Sequence, residues 1–266
     1  MAHTPSSSLR VGFVGAGRVA AALAPALVAA GHRVVFVAGR RPAPAAALAA
    51  TLPGCVALPE AALRTQLPAA DLYLLAVPDA AVPTLLATVA WPTGAVVAHL
   101  AGALSLAVFA TQPAVQGGVL YPLQTFSAGR TIDWPTVPLF VEGATPAEAV
   151  LLTLAGSLSQ QVQVLSSERR LQLHLSAVFA SNFTNHLLGV AQRLLQEAGL
   201  SFGLLHPLVR ETIAKALAAQ PDAFAVQTGP AVRHDAPTLA AHQAALAAHP
   251  TWQALYAQLT ASIQAQ

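Results

Sequence analysis

Cys55 is the only cysteine in 266 residues, which excludes an intramolecular disulfide and any cysteine-based metal cluster. Charge is nearly as scarce, with Asp, Glu, Lys and Arg together making 9% of the chain. The twelve arginines and one lysine are spread along the sequence and form no basic stripe, which argues against nucleic acid as a partner. No two histidines share an i, i+4 spacing with a nearby acid, so no metal site is expected. A long uninterrupted apolar run is missing too. Hydrophobic residues make 55% of the chain, yet Pro25, Gly31, His32 and Arg33 break the stretch from Val19 to Val37, so no membrane span is expected. "MAHTPSSSLR" lacks the basic-then-apolar order of a secretory signal, and a cytoplasmic location is the expectation.

What is present begins at Val11, where "VGFVGAGRVAAALAPALVAAGHRVVFVAGRR" reads as strand, glycine turn, alanine-rich helix, Gly31 as a stop, and a second strand. Gly15-Ala16-Gly17-Arg18-Val19-Ala20 fits the G-x-G-x-x-A form of the dinucleotide fingerprint. The first glycine permits the turn, the second lets backbone approach a pyrophosphate, and the helix N-terminus faces that phosphate. The end of the second strand carries Gly39-Arg40-Arg41 where NAD-binding chains usually place an acid, and no carboxylate lies between Arg18 and Glu60. Two guanidiniums there suit a 2′-phosphate, so NADP is expected in preference to NAD.

Further apolar runs at 72–78, 94–100, 117–123, 137–143 and 161–166 alternate with helical or proline-rich connections, including 59–67, 80–89 and 146–158. The expected fold is α/β: a Rossmann-type, doubly wound, mostly parallel sheet over residues 1–165, followed by an all-α domain over 166–266. Ligands should gather where the strands end, at 15–19, 39–41, 77–79, 99–102 and 121–126.

The second domain opens with a helix expected from Ser166 or Ser167 to Glu197. Its leucines and phenylalanines cover nearly the whole circumference, which calls for burial and, in so small a domain, for a second subunit. At about 100° per residue, His174, Ser181 and Asn185 fall in one sector with Asn182 at its edge, a polar row suited to a pocket wall. The remaining helices are expected near 202–219, 221–227, 238–249 and 251–265. His174 is the first candidate for general acid or base and His99, at a strand end, the second. His3, His32, His206, His242 and His249 fall in terminal, loop or helix-end positions that suit a solvated role.

Taken in order, "GFVGAGRVA", "LLAVPD", "HLAGAL", "YPLQTFS", "HLSAVFASNF" and "TGPAVRHD" resemble a bacterial two-domain family with a Rossmann-like domain, similar to deazaflavin-dependent NADP oxidoreductases, and a C-terminal domain of unknown function. It is related to pyrroline-5-carboxylate reductase, prephenate dehydrogenase, ketopantoate reductase and 6-phosphogluconate dehydrogenase, whose C-terminal domain the helical half resembles. The resemblance implies that Ala76, Val77 and Pro78 lie along the cofactor's ribose and nicotinamide. It also implies that "HLAGAL" and "YPLQTFS", with Gln124, line the nicotinamide end, and that Tyr121 replaces the histidine of prephenate dehydrogenases. His174 and Asn182 then sit on the helix that supplies a catalytic lysine and asparagine in 6-phosphogluconate dehydrogenase relatives, although this helix has no lysine.

The expected activity is hydride transfer between NADP(H) and a small carbonyl or imine substrate, with His174 or His99 handling the proton and Asn182 or Ser181 orienting the reacting group. Thr228-Gly229-Pro230 loosely resembles the substrate-carboxylate loop of pyrroline-5-carboxylate reductase. Arg233 and Asp235 beside it would complete a substrate clamp, or Asp235 would simply cap the helix from Ala236. A non-catalytic NADP-binding sensor and a deazaflavin-linked reductase are the other readings.

Overall fold

The computed structural model describes residues 8–266. His3 and most of the N-terminal stretch considered for a leader lie outside them. The described chain separates into two compact units that meet at Val178 and Phe179. The boundary expected at 165 and 166 falls instead between the last strand and the helix that follows it.

The first unit begins with β1 (Arg10–Val14), α1 (Arg18–Ala29), β2 (Arg33–Gly39), α2 (Pro42–Ala50) and β3 (Val56–Pro59). It continues through β4 (Leu72–Leu75), α3 (Val82–Thr88), β5 (Val96–His99), β6 (Gln116–Pro122), β7 (Leu139–Gly143), α4 (Ala147–Leu158), β8 (Val162–Val164) and α5 (Ser167–Ala177). The eight strands form one sheet in the order β3-β2-β1-β4-β5-β6-β7-β8, parallel throughout except where β6 meets β7. This is the doubly wound, mostly parallel α/β sheet expected from the apolar runs.

Side chains alternate across the sheet, as strand geometry requires. Leu72 and Leu74 of β4 join Val11, Phe13 and Leu120 in the core beneath α1 and α4. Tyr73 and Leu75 join Phe36, Val97 and Phe109 in the core of the other face. Because both faces are covered, the central strands read as continuous apolar runs rather than alternating ones.

β3 went unread in the sequence. Its four residues pair only with β2, are mostly exposed and end in Pro59, so neither a buried run nor a clear period marks it. The neighbouring α2, Pro42–Ala50, is nearly uniform in alanine and shows no amphipathic period.

After α5 the chain passes through a π-helical segment, Val178–Phe183, into α6 (Thr184–Glu197). Then come α7 (His206–Ala218), α8 (Ala236–Ala245) and α9 (Pro250–Gln264). The π segment corrects one expectation. Its wider turn, with Thr184 Oγ1 donating back to Phe179 O at 3.2 Å, breaks the uniform 100° step on which His174, Ser181 and Asn185 were placed in one sector. Within the second unit the buried hydrophobic residues are Ala231 and Leu246. Among the described residues no helix is long and apolar enough to cross a membrane.

Candidate functional site

The chain turns sharply out of β1 at Gly15, whose φ is +113°. A Cβ there would lie 2.2 Å from Ala76 O and 3.0 Å from Val77 Cγ1, so glycine is required on both steric and conformational grounds. The Gly15 N–H donates to Ala38 O at 2.7 Å and the Ala76 N–H to Val14 O at 2.8 Å. The ends of β1, β2 and β4 are thereby tied into one edge, where the strand order reverses and dinucleotides bind in such sheets.

Gly17 is exposed and is the N-cap of α1, without a side-chain cap or an acid in the first turn. The backbone amides that open α1, at Arg18 and Val19, are thus disposed to hold phosphate. Gly39 follows on β2, where a Cβ would come 3.9 Å from Ala16 Cβ, and the exposed Arg40 and Arg41 come next. Ala76, Val77 and Pro78 run past Gly15 from β4. These residues fit a dinucleotide: an open glycine turn, an uncapped helix start and two exposed guanidiniums.

Farther along the same edge stands a second group, assembled from β6, the loop after β5, and α5. Tyr121 Oη lies 3.0 Å from His174 Nδ1, and the rings meet edge to face with centroids 5.9 Å apart. Gly102 packs against both: a Cβ there would be 2.6 Å from His174 Nδ1 and 3.0 Å from Tyr121 Cε2. Tyr121 is buried and His174 half-buried. Burial pushes the Tyr121 phenol up, while the positive charge of Arg170 opposes it.

Arg170 sits one turn before His174 on α5 and is 1% exposed. Its guanidinium pairs with Glu142 of β7 and donates to Leu104 O at 2.6 Å and Ser167 Oγ at 3.2 Å. Ser167 donates through N and Oγ to the Glu142 carboxylate at 2.8 to 3.0 Å and accepts from Leu106 N–H at 2.9 Å. This buried set binds the start of α5 to β7 and to the loop carrying Gly102, and so fixes where His174 stands. Sequence reasoning missed it. The available signal was an arginine four residues before His174, on the same helix face, in a chain with little charge.

His99 has no exposed surface and stacks on Phe109 with centroids 5.9 Å apart. Its Nδ1 accepts from Ala101 N–H at 3.2 Å, and Nε2 is buried without a hydrogen-bond partner. Burial first, and the Arg170 charge second, lower its pKa to about 3. Folding therefore excludes the proton that an unfolded histidine, with a pKa near 6.5, binds. The stabilisation is complete above about pH 6.5 and is lost as pH falls toward 3, on the order of 5 kcal/mol in all. Urea unfolding at pH 7 and pH 4 should show about 3 kcal/mol of this loss in the native chain. In His99→Asn, which keeps an acceptor for Ala101, it should shrink by most of that amount.

His32 also departs from expectation. It is 4% exposed, accepts from Leu9 N–H at 3.1 Å through Nδ1 and meets Ser157 Oγ at 2.8 Å, and burial lowers its pKa. The loop position hid a bridge between the start of β1 and α4.

Gln124 is exposed and turned onto its own loop, accepting from Thr125 N–H at 2.7 Å. In the second unit, Ser181 and Asn182 lie in the π segment and Asn185 in the first turn of α6, with Asn182 and Asn185 exposed. Gly229, at φ +110°, opens a turn in which Asp235 N–H returns to Pro230 O at 3.0 Å. Asp235 caps α8, accepting from Thr238 N–H at 3.3 Å and Thr238 Oγ1 at 2.8 Å, and these bonds hold its carboxyl below the usual range. Thr228 and Arg233 are exposed, and His234 takes the left-handed conformation at φ 52°.

Residues 2–125 match a Rossmann-like domain family, and residues 137–263 match a family described as a domain of unknown function, DUF2520. Among curated proteins none matches. Among solved structures the chain is similar to the candidate NADP oxidoreductase BF3122 from Bacteroides fragilis, at 35% identity over 99% of this chain and 100% of that one, with a TM-score of 0.88. At fold level it is similar to a reductive aminase from Aspergillus terreus in complex with NADPH, at 20% identity over 97% and 93% of the two chains, with a TM-score of 0.67. It is also similar at that level to 1-pyrroline-5-carboxylate reductase from Streptococcus pyogenes, at 15% identity over 97% and 99%, with a TM-score of 0.60.

Proposed function

Because the chain belongs to the family that joins a Rossmann-like domain to DUF2520, we propose that it is an NADP-dependent oxidoreductase acting on a small carbonyl or imine substrate. The observation that carries this reading is the Gly15 turn against Ala76, a backbone cradle in which a Cβ has no room, leading into an uncapped helix start. Bound NADPH would supply the hydride. Gly15, Ala16, Gly17, Arg18 and Val19 hold the pyrophosphate, Gly39, Arg40 and Arg41 the adenosine end with its 2′-phosphate, and Ala76, Val77 and Pro78 the ribose and nicotinamide side.

His174 handles the proton at the reacting oxygen or nitrogen. His99 is assigned no such part, since burial keeps it neutral and seals it from substrate. In the second unit Ser181, Asn182 and Asn185 offer neutral hydrogen-bonding groups for a substrate, as does the segment from Thr228 to Asp235; in the first unit Gln124 offers one of its own. The reading includes a homodimer formed through the second unit, whose apolar surface has almost no cover of its own.

Titration with NADPH followed by its fluorescence should show binding at micromolar concentration, and absence of binding would defeat the proposal. The 2′-phosphate assignment has a narrower check. Arg40→Ala/Arg41→Ala should weaken NADPH by about 10- to 100-fold, the value of one or two charge-assisted contacts, and leave NADH nearly unchanged. Equal loss for both nucleotides would remove it.

A further inference from the structure

We propose that Tyr121 is the positioning residue for His174: its phenol O–H donates to Nδ1 and so commits the ring to the tautomer that presents Nε2–H to the substrate. The inference rests on the reading of His174 as the proton-handling group. It starts from a buried hydroxyl that needs an acceptor for its proton. Tyr121 is 8% exposed, and among the described residues its Oη has one hydrogen-bonding partner, His174 Nδ1 at 3.0 Å. A proton on Nδ1 would leave the phenol hydrogen without an acceptor in a buried place. With Nδ1 accepting, the neutral ring carries its hydrogen on Nε2.

The surroundings hold this pairing in place. Gly102 closes one side, where even one methyl group would collide with Nδ1. Arg170 and Glu142 fix the turn of α5 immediately before His174. Phe140 tilts against the Tyr121 ring with centroids 6.3 Å apart. The charged groups packed around the pair are Arg170 and its partner Glu142.

In the reductive direction the balance is as follows. The substrate carbon gains a hydride, which bound NADPH would supply in becoming NADP+, and forms a C–H bond while the π pair of the C=O or C=N bond moves onto the heteroatom. That atom takes the proton from Nε2, Nδ1 takes the proton from the phenol, and Tyr121 is left as a phenolate; the resting state returns when solvent protonates Nε2 and Nδ1 gives its proton back to the phenolate. Burial opposes that phenolate, and the nearby Arg170 charge offsets part of the opposition.

Nitrogen-15 NMR of the histidine-labelled protein, without cofactor or substrate, tests the arrangement. His174 should show a protonated Nε2 and an Nδ1 signal displaced by an accepted hydrogen bond. In Tyr121→Phe the Nδ1 signal should move to that of a free imidazole nitrogen, and the population of the Nδ1–H form should rise at least fivefold, as expected when one ordinary hydrogen bond is lost. Gly102→Ala, which reaches the ring from the other side, should give the same change. A protonated Nδ1 in the native protein, or spectra unchanged in both variants, would overturn the proposal. The result is independent of catalysis, so a failure to bind NADPH would sink the functional reading while leaving the tautomer measurement intact. Where turnover is measured, Tyr121→Phe should lower kcat about 10- to 100-fold with little change in KM for NADPH, less than the roughly 100- to 10,000-fold that a general acid itself contributes, because His174 remains.

Discussion

Glu142→Leu should destabilise the first unit by about 3 to 5 kcal/mol, because it leaves the Arg170 guanidinium buried without its counter-charge. Arg170 is 1% exposed, and its other acceptors, Leu104 O and Ser167 Oγ, are neutral. Arg170→Met should cost less, since the Glu142 carboxylate is partly exposed and keeps both donors of Ser167. The double variant Arg170→Met/Glu142→Leu should recover most of the loss, because two apolar side chains of suitable size fill the space without a desolvated charge. Urea unfolding of the four proteins closes the cycle, and equal costs for the two single variants would count against this account. The double variant should stay folded and yet lose the fixed placement of His174.

The other large effect concerns the second unit. Leu204 and Leu208 are 66% and 63% exposed, while Phe179, Leu217 and Phe224 each exceed 60%. None of α6, α7, α8 and α9 contains a buried residue. Folded helices with so much apolar surface open to water need cover, and the occupant proposed here is a second copy of the same unit. Light scattering at micromolar concentration should give about twice the 27.2 kDa chain mass. Leu204→Asp/Leu208→Asp should weaken the dimer roughly a millionfold, the equivalent of about 2 kcal/mol for each of the four leucines, two from each chain, that the dimer would bury. If the chain is a monomer, both positions are already solvated, and the substitutions should change stability by no more than about 0.5 kcal/mol.

The sequence revealed the parts of this molecule that depend on local order. Gly15 and Gly17 between a strand and a helix, the Arg40-Arg41 pair after β2, and the apolar runs of the central strands each carry their meaning within a few residues. Asp235 could be read as a cap for the same reason. Pairings across long separations left little trace. Tyr121 and His174 are 53 positions apart and Arg170 and Glu142 are 28 apart, and only the folded sheet brings them together. The π segment was hidden differently, because Val178–Phe183 contains no glycine or proline to mark a break and its wider turn becomes visible only in the backbone.

The strand order carries a consequence for how the chain folds. From β4 onward every new strand adds beside the one just before it, so the sheet grows in the direction of synthesis once β1 has β2 and β4 on either side. These contacts are intramolecular, and their rate does not depend on how many chains are present. The second unit follows last and, on the reading above, finds its cover on another chain. Its consolidation is therefore bimolecular, with a rate that rises with protein concentration while the nucleotide-binding sheet forms at a rate of its own.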